Sequence, residues 1–141
     1  MEQNLFILAC QLKLMNTIYH NFHNTVSGPC FIADHELLGG FYEEVDDDYD
    51  DVIERSVGLG LDGVADIQSQ MQQVASKITQ LPKDLKSEDM FVIASHLEDQ
   101  LSQIIKHICY SEGVSPGVEQ LIGEIDNKSD KRKYKIRQRI K

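Results

Sequence analysis

Apolar residues recur at spacings of three and four along most of this chain, and that period belongs to the α-helix alone. Leu5, Leu8, Leu12, Met15, Ile18, Tyr19 and Phe22 fall on one face and predict a first helix from about residue 3 to residue 24. Thr25-Val26-Ser27-Gly28-Pro29 then ends it with the residues least able to continue a helix. A second run, Leu38, Phe41, Val45, Tyr49, Val52, Ile53 and Val57, predicts a helix that starts near Phe31 or Asp34 and ends before Gly58-Leu59-Gly60. Asp34 is suited to cap it. Gly39-Gly40 inside it costs about 1 kcal/mol per glycine relative to alanine, which points to a close helix crossing or a functional reason.

Val64, Ile67, Met71, Val74 and Ile78 form a weaker repeat, read as one shorter helix between residues 61 and 81, before Leu81-Pro82 stops it. A third long helix over about 88–110 is marked by Glu88-Asp89 in its first turn and by Phe91, Ala94, Leu97, Leu101, Ile105 and Ile108. Ser115-Pro116 is a cap followed by a first-position proline, and Val118, Leu121, Ile122 and Ile125 carry the last helix onward. No strand-like alternation of useful length is present. The expectation is an all-α fold, a ferritin-like four-helix bundle with a short helix in the crossover between helices 2 and 3. At 141 residues, 1–141 reads as a single domain ending in a basic segment, 128–141.

Composition narrows the function classes. No apolar run approaches the ~20 residues that a bilayer-spanning helix needs, and Met1-Glu2-Gln3-Asn4 is unlike the basic start of a secretory signal, so a cytoplasmic protein without a membrane partner is expected. Cys10, Cys30 and Cys109 are odd in number and lack a CxxC spacing, which indicates neither a disulfide framework nor a zinc knuckle. Lys128, Lys131, Arg132, Lys133, Lys135, Arg137, Arg139 and Lys141 hold eight of the fourteen basic residues. With Asp130 alone against them, the last fourteen residues carry a net +7 in a chain of net −9. A basic end on an acidic body invites a DNA-binding reading, not sequence-specific, through phosphate neutralisation.

The residues suited to chemistry lie around the first interhelical turn. His23 ends the first helix, His35 begins the second, and Asp50 and Glu54 follow at an i, i+4 spacing that sets both carboxylates on one face. Imidazole with carboxylate suits iron, and also zinc or manganese. His20 lies one turn before His23, while His96 and His107 have no partnering motif. No Glu-x-x-His pair is present, which disfavours a di-iron centre buried within one subunit. The acidic run Glu43, Glu44, Asp46, Asp47, Asp48, Asp50, Asp51 is either a solvated stripe or a path for cations.

As a string, His23-Asn24-Thr25-Val26-Ser27-Gly28-Pro29-Cys30-Phe31-Ile32-Ala33-Asp34-His35-Glu36-Leu37-Leu38-Gly39 resembles the motif joining the first two helices of the Dps mini-ferritins, H-W-N-x-x-G-x-x-F-x-x-x-H-x-x-x-D. Asp50-Asp51-Val52-Ile53-Glu54-Arg55 resembles that family's D-x-x-A-E-R. The match covers residues 23–60. It implies an iron site between two subunits, with His23 and His35 of one chain facing Asp50 and Glu54 of its two-fold mate. It also implies Fe(II) oxidation, with hydrogen peroxide the preferred oxidant, and iron storage in a homo-oligomeric shell, commonly of twelve subunits, that protects against oxidative damage. Some members of the family bind DNA through lysine-rich tails.

Two of the departures from the motif weaken the carry-over: Asn24 stands where the family has Trp, and Gly39 where it has a carboxylate. Loss of a hard ligand is expected to lower iron affinity or oxidation rate, with Asp46, one turn before Asp50, as a substitute oxygen donor. Gly39 also opens an alternative, a non-catalytic ferritin-like interaction or structural protein.

Overall fold

A computed structural model of the chain describes residues 1–141, and every regular element in it is helical: α1 (Glu2–Thr25), α2 (Phe31–Gly58), a 3-10 turn (Asp62–Ala65), α3 (Ile67–Ile78), α4 (Ser87–Cys109) and α5 (Pro116–Ile140). The four long helices run close to the expected bounds. Ser115 caps α5 as its sequence implies, its hydroxyl oxygen accepting the Val118 N–H at 3.3 Å. At α4, Asp89 accepts the Lys86 N–H at 3.1 Å.

The crossover differs from a single helix. Asp66 takes the Ser69 N–H on one carboxylate oxygen and the Ser69 hydroxyl on the other, at 3.3 and 2.7 Å, and so starts a new helix at Ile67. Residues before it tighten into the 3-10 turn, whose Val64 is buried. Asp34 also departs from its expected role. The helix begins three residues earlier, at Phe31, and the Asp34 carboxylate turns inward to Arg139 instead of capping.

Cross-helix hydrogen bonds give the chain directions. Asn16 bonds the Tyr42 carbonyl and His23 meets His35, so α1 and α2 are antiparallel. Gln11 bonds the Leu97 carbonyl and Tyr19, two turns on, bonds the Ala94 carbonyl further back, so α4 is antiparallel to α1. Asp34, Glu44 and Asp48 face Arg139, Arg132 and Lys128 in turn, so α5 is antiparallel to α2. The order is therefore up, down, down, up. Helices α2 and α4 point the same way, and residues 59–86 return the chain along the full bundle, with α3 lying on α1.

The core is one cluster in which α1 supplies Leu5, Leu8, Leu12, Met15, Ile18, Tyr19 and Phe22, facing Leu38, Phe41, Val45 and Val52 of α2. Phe91, Leu101, Ile105 and Ile108 of α4 and Ile122, Ile125 and Ile136 of α5 complete it. Complete burial of each such side chain is worth about 1.5–3 kcal/mol. The α1–α2 turn uses Gly28 at φ +97°, a conformation open to glycine at little cost. No helix is long and apolar enough to cross a membrane. All three cysteines are free thiols.

Candidate functional site

His23 and His35 come together at the α1–α2 corner. Their rings stack with centroids 3.8 Å apart and planes 18° from parallel. The Nδ1 of His23 lies 2.7 Å from the His35 carbonyl oxygen, and the Nδ1 of His35 lies 2.7 Å from the His23 carbonyl oxygen. A carbonyl oxygen only accepts, so each Nδ1 carries a proton, and in the neutral ring the Nε2 is then the nitrogen with the lone pair. Both rings are half-buried.

Gly39 explains how His23 reaches this position. A Cβ on Gly39 would stand 2.9 Å from both Cε1 and Nδ1 of His23, so the imidazole occupies the space a side chain at 39 would need. Gly40 has nothing within 4 Å of such an atom. The glycine pair thus serves a close approach at its first member only.

Aromatic neighbours extend the stack. Phe31 lies against His35 at 5.1 Å, and Tyr42 lies 5.4 Å from His23 on one side and 4.4 Å from His20 on the other. Tyr42 therefore contacts both His20 and His23, and His20 stacks on Tyr42, not on the histidine pair.

Asp46, Asp50 and Glu54 are exposed on α2 and have no cationic partner within the chain. Asp50 stands fifteen residues beyond His35, about 22 Å along the helix at 1.5 Å per residue. Within one chain these carboxylates do not reach the histidines, and no three His, Cys, Asp or Glu side chains converge on a point that could hold a metal ion.

The bundle interior holds a different polar constellation. Glu98 of α4 and Arg132 of α5 are 0% and 1% exposed. Arg132 donates Nε and one Nη to the two oxygens of Glu98, at 2.8 and 3.1 Å, and its other Nη to Glu44 at 3.0 Å. Tyr19 and Ser129 hydroxyls also donate to Glu98, at 2.5 and 2.7 Å. Burial, then the Glu98 charge, pushes the Tyr19 phenol well above its usual range. Burial would lower the Arg132 pKa, but Glu98 overrides it and raises it. A guanidinium fills the centre of the four helices, where Glu98 would otherwise be an unpaired buried charge.

One helical turn further along α2, Asp48 accepts Lys128 Nζ at 2.8 Å on one oxygen, while its other oxygen is buried without a partner. Burial raises the Asp48 pKa despite that ammonium, whereas the hydrogen bond to Asp48 raises the Lys128 pKa. The two shifts reconcile through exposure. Lys128 keeps 38% of its side-chain surface in water and loses little solvation, while Asp48 keeps 1% and loses most of it.

The basic segment is the second half of a continuous helix. Lys128 pairs with Asp48, Arg132 with Glu98 and Glu44, Lys133 with Ser102 and Asp99, and Arg139 with Asp34. Lys131, Lys135, Arg137 and Lys141 are exposed without an ion-pair partner. Glu98 had a signal in the sequence, an acid set among Ala94, Leu97, Leu101 and Ile105 on the apolar face of α4. Tyr42 and Arg139 had none at the level of spacing. No protein-family model, curated protein or solved structure matches this chain.

Proposed function

We propose that the chain is a cytoplasmic mini-ferritin subunit in which two copies bind Fe(II) between them and oxidise it with hydrogen peroxide for storage in a larger homo-oligomeric shell. Each peroxide takes one electron from each of two ferrous ions together with two protons, and leaves as two waters. The observation that carries this reading is the His23–His35 pair. Each Nδ1–H is committed to a backbone carbonyl, the outer-shell arrangement typical of metal-ligating histidines, and each Nε2 is free to bind.

Two further features support it. The up, down, down, up order with one full-length crossover is the connectivity of ferritin-like bundles. Antiparallel packing of α2 against α2 of a second copy would set His35 opposite the other chain's Asp50, and exposed Ile32 near its exposed Val57. The resulting donors, imidazole nitrogen with Asp50, Glu54 and Asp46 oxygens, suit Fe(II), and also zinc or manganese.

A non-catalytic ferritin-like protein is the second reading, favoured by Gly39. A carboxylate at 39 is incompatible with the observed seat of His23, so this site has one hard ligand fewer than the family motif. A DNA-binding function is the weaker third, because half of the tail cations are engaged within the fold.

The test is anaerobic Fe(II) addition to the purified protein, then hydrogen peroxide, following ferric absorbance for wild type beside His35→Ala. Rapid oxidation lost in the variant supports the iron site. Absence of protein-dependent oxidation in wild type leaves the non-catalytic reading.

A further inference from the structure

We infer that Arg139, two residues from the end of the chain, is a positioning residue for the His23–His35 pair, because it fixes the first turns of α2 on which His35 stands. Helix α2 lacks the usual device for this. Its N-cap residue, Cys30, makes no side-chain capping bond. The turn is instead held from across the bundle. Asp34 is 2% exposed, and Arg139 grips it in a two-point fork, Nε to one oxygen and Nη2 to the other, both at 2.9 Å. Such planar, charge-assisted pairs fix orientation as well as distance.

Arg139 is itself held. Its guanidinium lies 5.0 Å from the ring centre of fully buried Phe91, in the second turn of α4. A second cross-link, Ser87 hydroxyl to the Ser27 carbonyl at 2.7 Å, ties the start of α4 to the α1–α2 turn. The end of α5 and the start of α4 thus clamp the corner where α1 meets α2.

The histidine pair is sensitive to that clamp because Asp34 and His35 share a peptide bond. The His35 carbonyl accepts the His23 Nδ1–H, and the His35 Nδ1–H returns to the His23 carbonyl. Both bonds cross from α1 to α2, so a displacement of the first turns of α2 lengthens or bends both, and hydrogen bonds weaken steeply with angle. A residue that resembles one more cation of a solvated tail is in this structure the far end of the site's support. Its consequence for iron rests on the proposed metal site, but the positioning itself is measurable without metal.

Deuterium exchange at imidazole Cε1–H, read by mass spectrometry on the intact metal-free protein, tests it. The Cε1 of His23 lies against Gly39 and is expected to exchange slowly in wild type, while exposed His107 on α4 serves as an internal reference. Arg139→Gln is expected to raise the His23 rate several-fold with His107 unchanged, and Arg139→Lys to restore part of the protection. Ile125→Ala, which loosens α5 away from the corner, is expected to leave His23 slow at temperatures well below unfolding. An unchanged His23 rate in Arg139→Gln, or equal acceleration at His107, overturns the proposal. If wild type binds no Fe(II) yet His23 responds to Arg139→Gln, the metal site fails and the positioning role stands.

Discussion

His23 lies where the side chain of residue 39 would be, its imidazole 2.9 Å from the Cβ that Gly39 lacks. The same ring donates its Nδ1–H to the carbonyl of His35, four residues before that glycine, so the contact with Gly39 and the stacking of the two imidazoles are one arrangement. Gly39→Ala is expected to destabilise by about 1–3 kcal/mol through forced displacement of the ring, exceeding the helix-propensity gain of about 1 kcal/mol. Gly40→Ala, with open space at that position, is expected to stabilise by about 0.5–1 kcal/mol. Urea unfolding of both variants checks the pair, and a stabilised Gly39→Ala would mean that His23 does not sit on Gly39 in solution.

Arg132 and Glu98 predict a loss that a double replacement undoes. Arg132→Met leaves the fully buried Glu98 carboxylate without its cation and is expected to cost about 3–5 kcal/mol, towards the lower end because Tyr19 and Ser129 still donate to it. Combining it with Glu98→Gln removes the stranded charge and should recover at least half of that loss. Glu44 keeps 43% of its side-chain surface exposed, so Glu44→Gln should cost under about 1 kcal/mol. Equal costs for all three variants would show that the network behaves as a surface ion pair.

Asp48 sets a pH dependence. Its pKa is raised by burial, so the folded state favours the protonated carboxyl. The stabilisation this gives is complete below the unfolded value, about 3.9, and is lost as pH rises through the higher folded value. Asp48→Asn removes that titration, so the stability of the variant relative to wild type should increase as pH rises from about 3.9 and level off once pH has passed the higher folded value. Lys128 titrates far above this window and does not contribute to the slope. A difference independent of pH would show that Asp48 ionises in the fold as it does in the unfolded chain.

The helices were legible because their apolar faces repeat. Leu5 to Phe22 and Phe91 to Ile108 define α1 and α4 to within a residue or two, and Ser115-Pro116 marks the start of α5 by its own capping chemistry. Directions were not legible from periodicity, since antiparallel and parallel packing bury the same stripe, and the sequence offered only loop lengths for them. They follow from pairs such as Asp34 with Arg139 and Glu44 with Arg132, which are 105 and 88 residues apart in sequence. His23 and His35 could be nominated from residue type and the short turn between them. Their reciprocal bonding and the role of Gly39 could not, because periodicity says where a ring projects and not which backbone carbonyl it meets. Arg139 was hidden by its company, since seven of the last eleven residues are basic and nothing in the spacing separates the cation that turns inward.

The division of the tail cations predicts the salt dependence of any duplex retention. Four unpaired cations, Lys131, Lys135, Arg137 and Lys141, allow a slope of log K against log salt no steeper than about −3.6 per chain, whereas all eight would approach −7 on the scale of about −0.9 per phosphate contact. Where long duplex DNA is retained at low salt, Lys131→Gln with Lys135→Gln should roughly halve the slope. Lys128→Gln should leave it unchanged, since Lys128 is bound to Asp48. A steep slope that falls with Lys128→Gln would mean that the end of α5 leaves the bundle to bind DNA.

A site shared between two-fold copies makes a quantitative prediction that a site within one chain does not. His35→Ala and Asp50→Ala proteins, each alone, should have no complete site, because every site in either assembly lacks one ligand class. In a dimer of one variant with the other, one of the two sites combines both defects, while the second takes His35 from the Asp50→Ala copy and Asp50 from the His35→Ala copy and is intact. Random exchange at equal amounts makes half the dimers mixed, so about a quarter of the wild-type sites should return. Fe(II) stoichiometry after unfolding and refolding the two variants together measures this directly. Return to about a quarter establishes that the histidines and carboxylates meet across copies, as their separation of about 22 Å along α2 requires. No return above the separate variants, with wild type active under the same treatment, excludes the shared site.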